Sequence, residues 1–224
     1  MTIVYIISAP SGSGKSTLVN EIRKIVPRLD FSVSYTTRAP RGSEQNGREY
    51  FFVPRSDFVD MLRKNEFLEH AEVFGNYYGT SRRFLREAEQ NGQDLVLDID
   101  VQGAKQIAQQ IPKAVSIFIL PPDRKTLEWR LRSRSLDAEE VIQRRLVTAR
   151  EEIENYGNYD YILVNDHLEQ SVDELRAVVV AERLQRSGKE FSPEERGILA
   201  AAERNRLENV RQRVQPILES FRCG

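Results

Sequence analysis

Residues 3–18 read IVYIISAPSGSGKSTL, and this stretch restricts the possible folds more tightly than any other. The run from Ile3 to Ser8 is apolar without alternation, as a strand covered on both faces requires. Gly12 and Gly14 then open a turn whose backbone N–H groups can converge on an anion. The helix that follows begins there with its positive end. Lys15 adds a mobile charge, and the hydroxyl of Ser16 suits a magnesium ion. The pattern G-x-x-x-x-G-K-[ST] is met except at its first glycine, where Ala9 stands. Pro10 requires an extended residue before it. Alanine adopts that conformation at negative φ, so the loop is expected to keep its anion-binding shape.

Such a loop occurs in motors, switches and small-molecule kinases alike. The chain has 224 residues, short for a motor domain, and no N-K-x-D motif of a switch GTPase. Lys and Arg total 33 against 34 Asp and Glu. That balance speaks against a nucleic-acid partner, and any anion site must be local. One cysteine, Cys223, excludes an internal disulfide framework and suits a reducing compartment. No apolar run approaches the ~20 residues of a membrane span, and the first residues do not resemble a signal peptide. A cytoplasmic protein with no membrane partner is expected.

Three further apolar runs, 94–100, 114–120 and 159–164, read as buried parallel strands followed by helices. This predicts an α/β fold: a P-loop parallel-sheet core with helices on both faces. Leu18, Ile22, Ile25 and Val26 are spaced as the apolar face of the first helix. The segment 34–91 breaks the rhythm and reads as a mixed α+β insertion. Turn chemistry at 39–47 leads to aromatic strands at 48–53 and 72–80, with a short helix near 56–65 between them. Segment 123–150 is helical and carries seven arginines. The core thus covers 1–33 and 92–185, and a helical C-terminal extension covers 186–224. Residues 186–191 read as a linker, and Ser192-Pro193-Glu194-Glu195 as a capped helix start. In the extension Leu207, Val210, Val214, Ile217 and Phe221 form an apolar seam that Pro216 interrupts. The seam suits either packing on the chain's own domain or a homo-oligomer contact.

Several polar residues sit where chemistry could occur. Ser34, Thr36 and Thr37 precede Arg38 and Arg41, two guanidinium forks suited to a terminal phosphate; a solvated basic turn is the alternative. Tyr50 and the stretch GNYYGT at 75–80 add hydroxyls. The carboxylate of Glu69 can only accept hydrogen bonds. It would match the two donors of a guanine edge, although a plain surface acid is the other reading. Asp98 and Asp100 end a buried strand, where α/β ligands bind. They could serve Mg²⁺ through water or the substrate, or Asp100 could cap the next helix. Arg130, Arg132 and Arg134 share a phase near a helix end, and Arg145 lies at the edge of an apolar face. Cations near a P-loop suit phosphoryl transfer.

Together the blocks SAPSGSGKST, SVSYTTRAPRGSEQNGREYFF, FLEHAEVFGNYYGTS, LDIDVQGA, IFILPPD, RLRSRSLDAEEVIQRRL and YDYILVND resemble guanylate kinases in order and spacing, over residues 3 to about 185. The resemblance implies a P-loop nucleoside monophosphate kinase. It would transfer the γ-phosphoryl group of ATP to GMP with Mg²⁺, using residues 34–91 as the GMP-binding subdomain and 123–150 as a lid. Ser11, Gly12, Ser13, Gly14, Lys15, Ser16 and Thr17 would hold ATP, and Asn165 would lie near adenine. Ser34 and Glu69 would read guanine, Thr80 assisting, with Asp100 also against GMP. Arg38, Arg41, Tyr50 and Tyr78 would hold the GMP phosphate. Lys15, Arg38, Arg134 and Arg145 would stabilise the moving group, and Ser16 and Asp98 would serve the metal. Ala9, Ser135 and His167 depart from the family pattern, His167 on the adenine side. Two other readings keep the fold: a phosphopeptide-binding module, which the intact Lys15 and Ser16 oppose, and a kinase for another phosphorylated acceptor, which Ser34 and Glu69 oppose.

Overall fold

The computed structural model describes residues 2–73, 75–134 and 138–222. Ser135 and Cys223 lie outside them, as does the side chain of Arg134. In chain order the elements begin with β1 (Val4–Ser8), α1 (Lys15–Ile25), β2 (Leu29–Ser32), β3 (Tyr35–Thr36), β4 (Phe51–Phe52) and α2 (Arg55–Arg63). Next come β5 (Phe67–Val73), β6 (Asn76–Ser81), α3 (Arg82–Asn91), β7 (Asp94–Asp98) and α4 (Val101–Gln110). β8 (Val115–Leu120), α5 (Arg124–Arg134), α6 (Glu139–Ile153), a 3₁₀ turn (Glu154–Asn158) and β9 (Tyr161–Val164) follow. Three helices end the chain: α7 (Leu168–Ser187), α8 (Pro193–Glu203) and α9 (Leu207–Arg222). The fold is α/β on parallel strands, and the chain divides into two compact units.

The first unit comprises Met1–Ile7 and Pro27–Val115. Its parallel strands run β2-β7-β1, with Val4 opposite Leu95 and Leu29 opposite Asp94. β1 is buried at every residue, which explains its unbroken apolar sequence. β2 was not among the apolar runs, because its residues LDFS alternate too weakly to mark a strand. A second sheet, β4-β3-β6-β5, holds the insertion. Here the sequence expectation needs correction. Residues 72–80 are not one strand: Val73 and Asn76 end the two arms of an antiparallel hairpin. The aromatic run at 48–53 is reduced to a two-residue strand. Phe51 of that run stacks on Tyr35, and a separate stack places Phe58 against Phe67 and Tyr77.

The second unit comprises Ser8–Val26 and Ser116–Gly224. β8 and β9 pair in parallel, Ile117 opposite Tyr161. On α1 the buried residues are Leu18, Val19 and Ile22, followed by the extended Val26. Ile25 is 48% exposed instead, because it lies on the last turn, where the chain leaves helical geometry. α7 stops at Gly188, whose φ of 67° is a left-handed cap, and Ser192 with Glu195 forms the expected capping box. Residues 205–207 run along the free edge of β9. The N–H of Ile162 donates to Asn205 O at 2.8 Å, and that of Leu207 to Asp160 O at 3.0 Å. This covers an edge that would otherwise expose unpaired backbone groups. The α9 helix runs through Pro216, against expectation, and its seam of Val210, Val214, Ile217, Leu218 and Phe221 is buried within the chain. The apolar pattern of this helix thus reflects packing on its own unit. Burial pushes the Tyr161 hydroxyl pKa up, helped by its 2.7 Å hydrogen bond to Glu182, whose carboxylate also accepts from Arg206.

Candidate active site

In the second unit, the loop after β1 has the shape its glycines require. Gly12 and Gly14 have φ of 95° and 89°, conformations that side chains disfavour. Ala9 is not among the residues at positive φ, so the missing first glycine costs the turn nothing. The Ser13 N–H donates to Pro10 O at 3.1 Å, and Gly14 is the N-cap of α1. Lys15 opens the helix, with Ser16 exposed and Thr17 half-buried behind it. The side chain of Ser13 is fully buried, so this residue offers its backbone and not its hydroxyl. Asn165, 5% exposed, sits under the loop, its amide donating to Ser13 O at 2.6 Å. A Cβ added at Gly14 would run into that amide, and one at Gly12 would lie 2.9 Å from Leu131. The backbone turn is therefore fixed by both its own conformation and its neighbours.

The arginines of 123–150 divide by partner. Arg145, on α6, donates to the Ser11 hydroxyl at 2.8 Å and so reaches the loop. Arg130 donates to Asn165 O at 3.0 Å and Arg132 pairs with Glu128 and Glu139. The shared phase of 130, 132 and 134 does not hold, because alternate residues on a helix point about 200° apart. Arg130 and Arg132 brace structure. The hydrogen bonds from Arg132 hold the Glu139 carboxyl down at about 2.

In the first unit, hydroxyls and charges gather on the insertion. Arg38 makes a two-pronged pair with Glu44, at 2.9 and 3.0 Å, and lies over the rings of Tyr50 and Phe52. Tyr50 and Tyr78 meet edge to face. Burial works against the Arg38 charge, but hydrogen bonds to Glu44 and Tyr78 outweigh it and raise its pKa. The Glu44 carboxyl is held below its ordinary value, first by Arg38 and also by the Arg41 N–H at 2.7 Å. Arg41 itself is exposed. Glu44 escaped the sequence reading, and its one signal was an acid inside an otherwise basic turn. Ser34, half-buried, follows β2 and accepts from Phe51 N–H through its carbonyl.

Glu69 is 5% exposed on β5 and is not a surface acid. The pairing of β5 with β6 shifts register between Phe67 and Glu69, which sets Glu69 opposite Thr80. The Thr80 hydroxyl donates to its Oε1 at 2.5 Å. The half-buried Asp98 ends β7. Asp100 caps α4, accepting from Gly103 N–H at 2.7 Å, so the capping role is real. Among the described residues no group of three His, Cys, Asp or Glu side chains could form a metal cage. A magnesium ion needs no such cage, since it takes one or two protein oxygens and keeps water and phosphate as its other ligands.

The comparisons with known proteins concern the chain as a whole. The guanylate kinase family model matches residues 1–182. The guanylate kinase of Koribacter versatilis is 63% identical over 98% of this chain and 95% of its own length. That of Escherichia coli K12 is 50% identical over 82% of this chain and 90% of its own. The crystal structure of guanylate kinase from Anaplasma phagocytophilum is 35% identical, with a TM-score of 0.69 over 82% of this chain and 87% of that one. The chain belongs to the guanylate kinase family, nucleoside monophosphate kinases that phosphorylate GMP at the expense of ATP.

Proposed function

We propose that this chain carries out the Mg²⁺-dependent transfer of the ATP γ-phosphoryl group to GMP, with each unit holding one nucleotide. The observation that carries the reading is the buried Glu69 with its Thr80 partner. A carboxylate can accept from both N1–H and the 2-amino group of guanine, whereas adenine presents an acceptor at N1. Ser34 completes the base contacts, Asp100 also lies against GMP, and Arg38, Arg41, Tyr50 and Tyr78 hold the GMP phosphate. On the ATP side the backbone of 11–14 wraps the phosphates, with Lys15, Ser16 and Thr17 at the start of α1. Asn165 holds the loop through the Ser13 carbonyl and lies near adenine. Ser16 and Asp98 are the residues assigned to Mg²⁺, which would supply neutralising charge to the phosphates.

The nucleophile is already a phosphate oxygen, so no strong base is needed. Positioning and positive charge do the chemistry. Lys15 and Arg145 provide charge from the second unit, as does Arg134, whose side chain lies outside the described residues. Arg38 orients the acceptor. Among the described residues no helix is long and apolar enough to cross a membrane, and a cytoplasmic location without a nucleic-acid partner suits the even charge balance. The buried seam of α9 supports an extension that serves its own unit over one that joins copies.

A coupled ADP-release assay with GMP, AMP, CMP and UMP tests this. Turnover with GMP is expected to exceed the others by at least about 10²-fold, since a buried acceptor rejects a mismatched edge strongly. Equal turnover with AMP would remove Glu69 as the base reader.

A further inference from the structure

We propose that Gly103 is a specificity-determining position, whose missing side chain leaves the space in which the Glu69 carboxylate is set. The inference rests on the reading of Glu69 as the residue that recognises guanine. Gly103 is the third residue of α4 and is buried. It is not among the glycines at positive φ, so the backbone does not require glycine there. Helical glycine is disfavoured against alanine by ~1 kcal/mol. Propensity therefore argues for alanine, and only space argues for glycine.

The space has a definite occupant. A Cβ built on Gly103 would lie 2.5 Å from Oε2 of Glu69 and 3.0 Å from its Cδ, with Asp100 Oδ1 next at 3.4 Å. Real Cβ contacts essentially never fall below 3.0 Å. A retreat of the carboxylate would pull on its bond from Thr80 to Oε1, in a setting where Glu69 is 5% exposed. Thr80 on one oxygen and the bare first turn of α4 beside the other thus bound the space of the carboxylate. The N–H of Gly103 meanwhile donates to Asp100. A single residue therefore meets two carboxylates: it caps through one and makes room for the other. A methyl group at 103 would move the acceptor pair away from the base edge while leaving the charge count unchanged.

The experiment is a double-mutant cycle of Gly103→Ala and Glu69→Ala in the full chain, read by steady-state kinetics and thermal unfolding. Gly103→Ala is expected to raise KM for GMP by about tenfold or more, the scale of a small misplacement at a reacting site, and to leave KM for ATP unchanged. Gly103→Ala should lower Tm with Glu69 present, and leave it unchanged or raise it in the Glu69→Ala background. Should Gly103→Ala alone fail to fold, folding of the double variant supports the proposal, and failure of both overturns it. Equal loss of Tm in both backgrounds also overturns it, because the glycine then serves packing alone. If Glu69→Ala leaves KM for GMP unchanged, the reading of Glu69 fails. If Glu69→Ala raises it and Gly103→Ala does not, only the role of Gly103 fails.

Discussion

The phosphate loop of the second unit and the insertion of the first both gather polar groups for an anion, but they are built from different material. The loop is made of backbone. Its glycines take conformations that side chains disfavour, Ser13 buries its hydroxyl, and Asn165 grips a carbonyl from below. The insertion is made of side-chain ends. Arg38 and Glu44 pair across one turn, Tyr50 meets Tyr78, and Glu69 meets Thr80 across the β5–β6 pairing. A backbone site fails when its conformation is disturbed. A side-chain site fails one contact at a time, in proportion to the contact removed.

The largest expected effect follows on the backbone side. Gly14→Ala places a Cβ at φ 89° and against the Asn165 amide. Strain and collision act together, and either response moves the N–H groups at the start of α1. The value of kcat/KM for ATP should fall by about 10²-fold, while binding of GMP, measured by calorimetry without ATP, should change by less than about threefold. A variant with ordinary ATP kinetics would show that the loop tolerates displacement and would break the contrast.

The same difference in material explains what could be read from the sequence. The loop is contiguous, and its glycines adopt conformations that side chains disfavour, so Gly12 and Gly14, with Lys15 and Ser16 after them, are legible from spacing. The buried strands were legible for a similar reason, since both faces are covered. The insertion was not. Its hairpin was misread as a single strand because the aromatic residues of 72–80 carry strand propensity through the turn, and register depends on a shift between Phe67 and Glu69 that no local pattern announces. Glu69 was visible as a candidate, but its burial was not. Glu44 was invisible as a partner, because an acid in a turn is ordinary until Arg38 is seen to hold it. Ile25 and Pro216 show the limit of periodicity: the first lies where a helix ends, and the second is carried by a helix whose buried face outweighs one lost hydrogen bond.

On the side-chain side the expected effect is smaller and graded. Glu44→Gln keeps the shape but replaces a charged two-pronged partner of Arg38 with a neutral one. Arg38 retains Ala39 O and the Tyr50 ring, so it should loosen without leaving. KM for GMP is expected to rise about three- to tenfold, with little change in KM for ATP. The sign with pH is fixed. The Glu44 carboxyl is held below its ordinary value, so its contribution to stability is complete above about pH 4.5 and is lost as pH falls through the depressed folded value. In Glu44→Gln that acid sensitivity should diminish. An unchanged KM would show that Arg38 needs no fixed partner.

The smallest effect sharpens the comparison from outside both sites. Arg132 bridges α5 to α6 through Glu139 at 2.5 and 2.7 Å and also pairs with Glu128. The geometry matches that of Arg38 with Glu44, yet Glu139 is 59% exposed where Glu44 is 23% exposed. Water and salt screen the exposed pair, and ordering two long side chains costs entropy. Glu139→Gln should therefore lower Tm by no more than about 2 °C, and about 1 M salt should erase the difference. The carboxyl is held down at about 2, so whatever the pair contributes is present above about pH 4.5 and is lost between there and about pH 2. Were Glu139→Gln to cost more than Glu44→Gln, exposure would not be what separates the two pairs, and the graded behaviour of the insertion would need a cause other than burial.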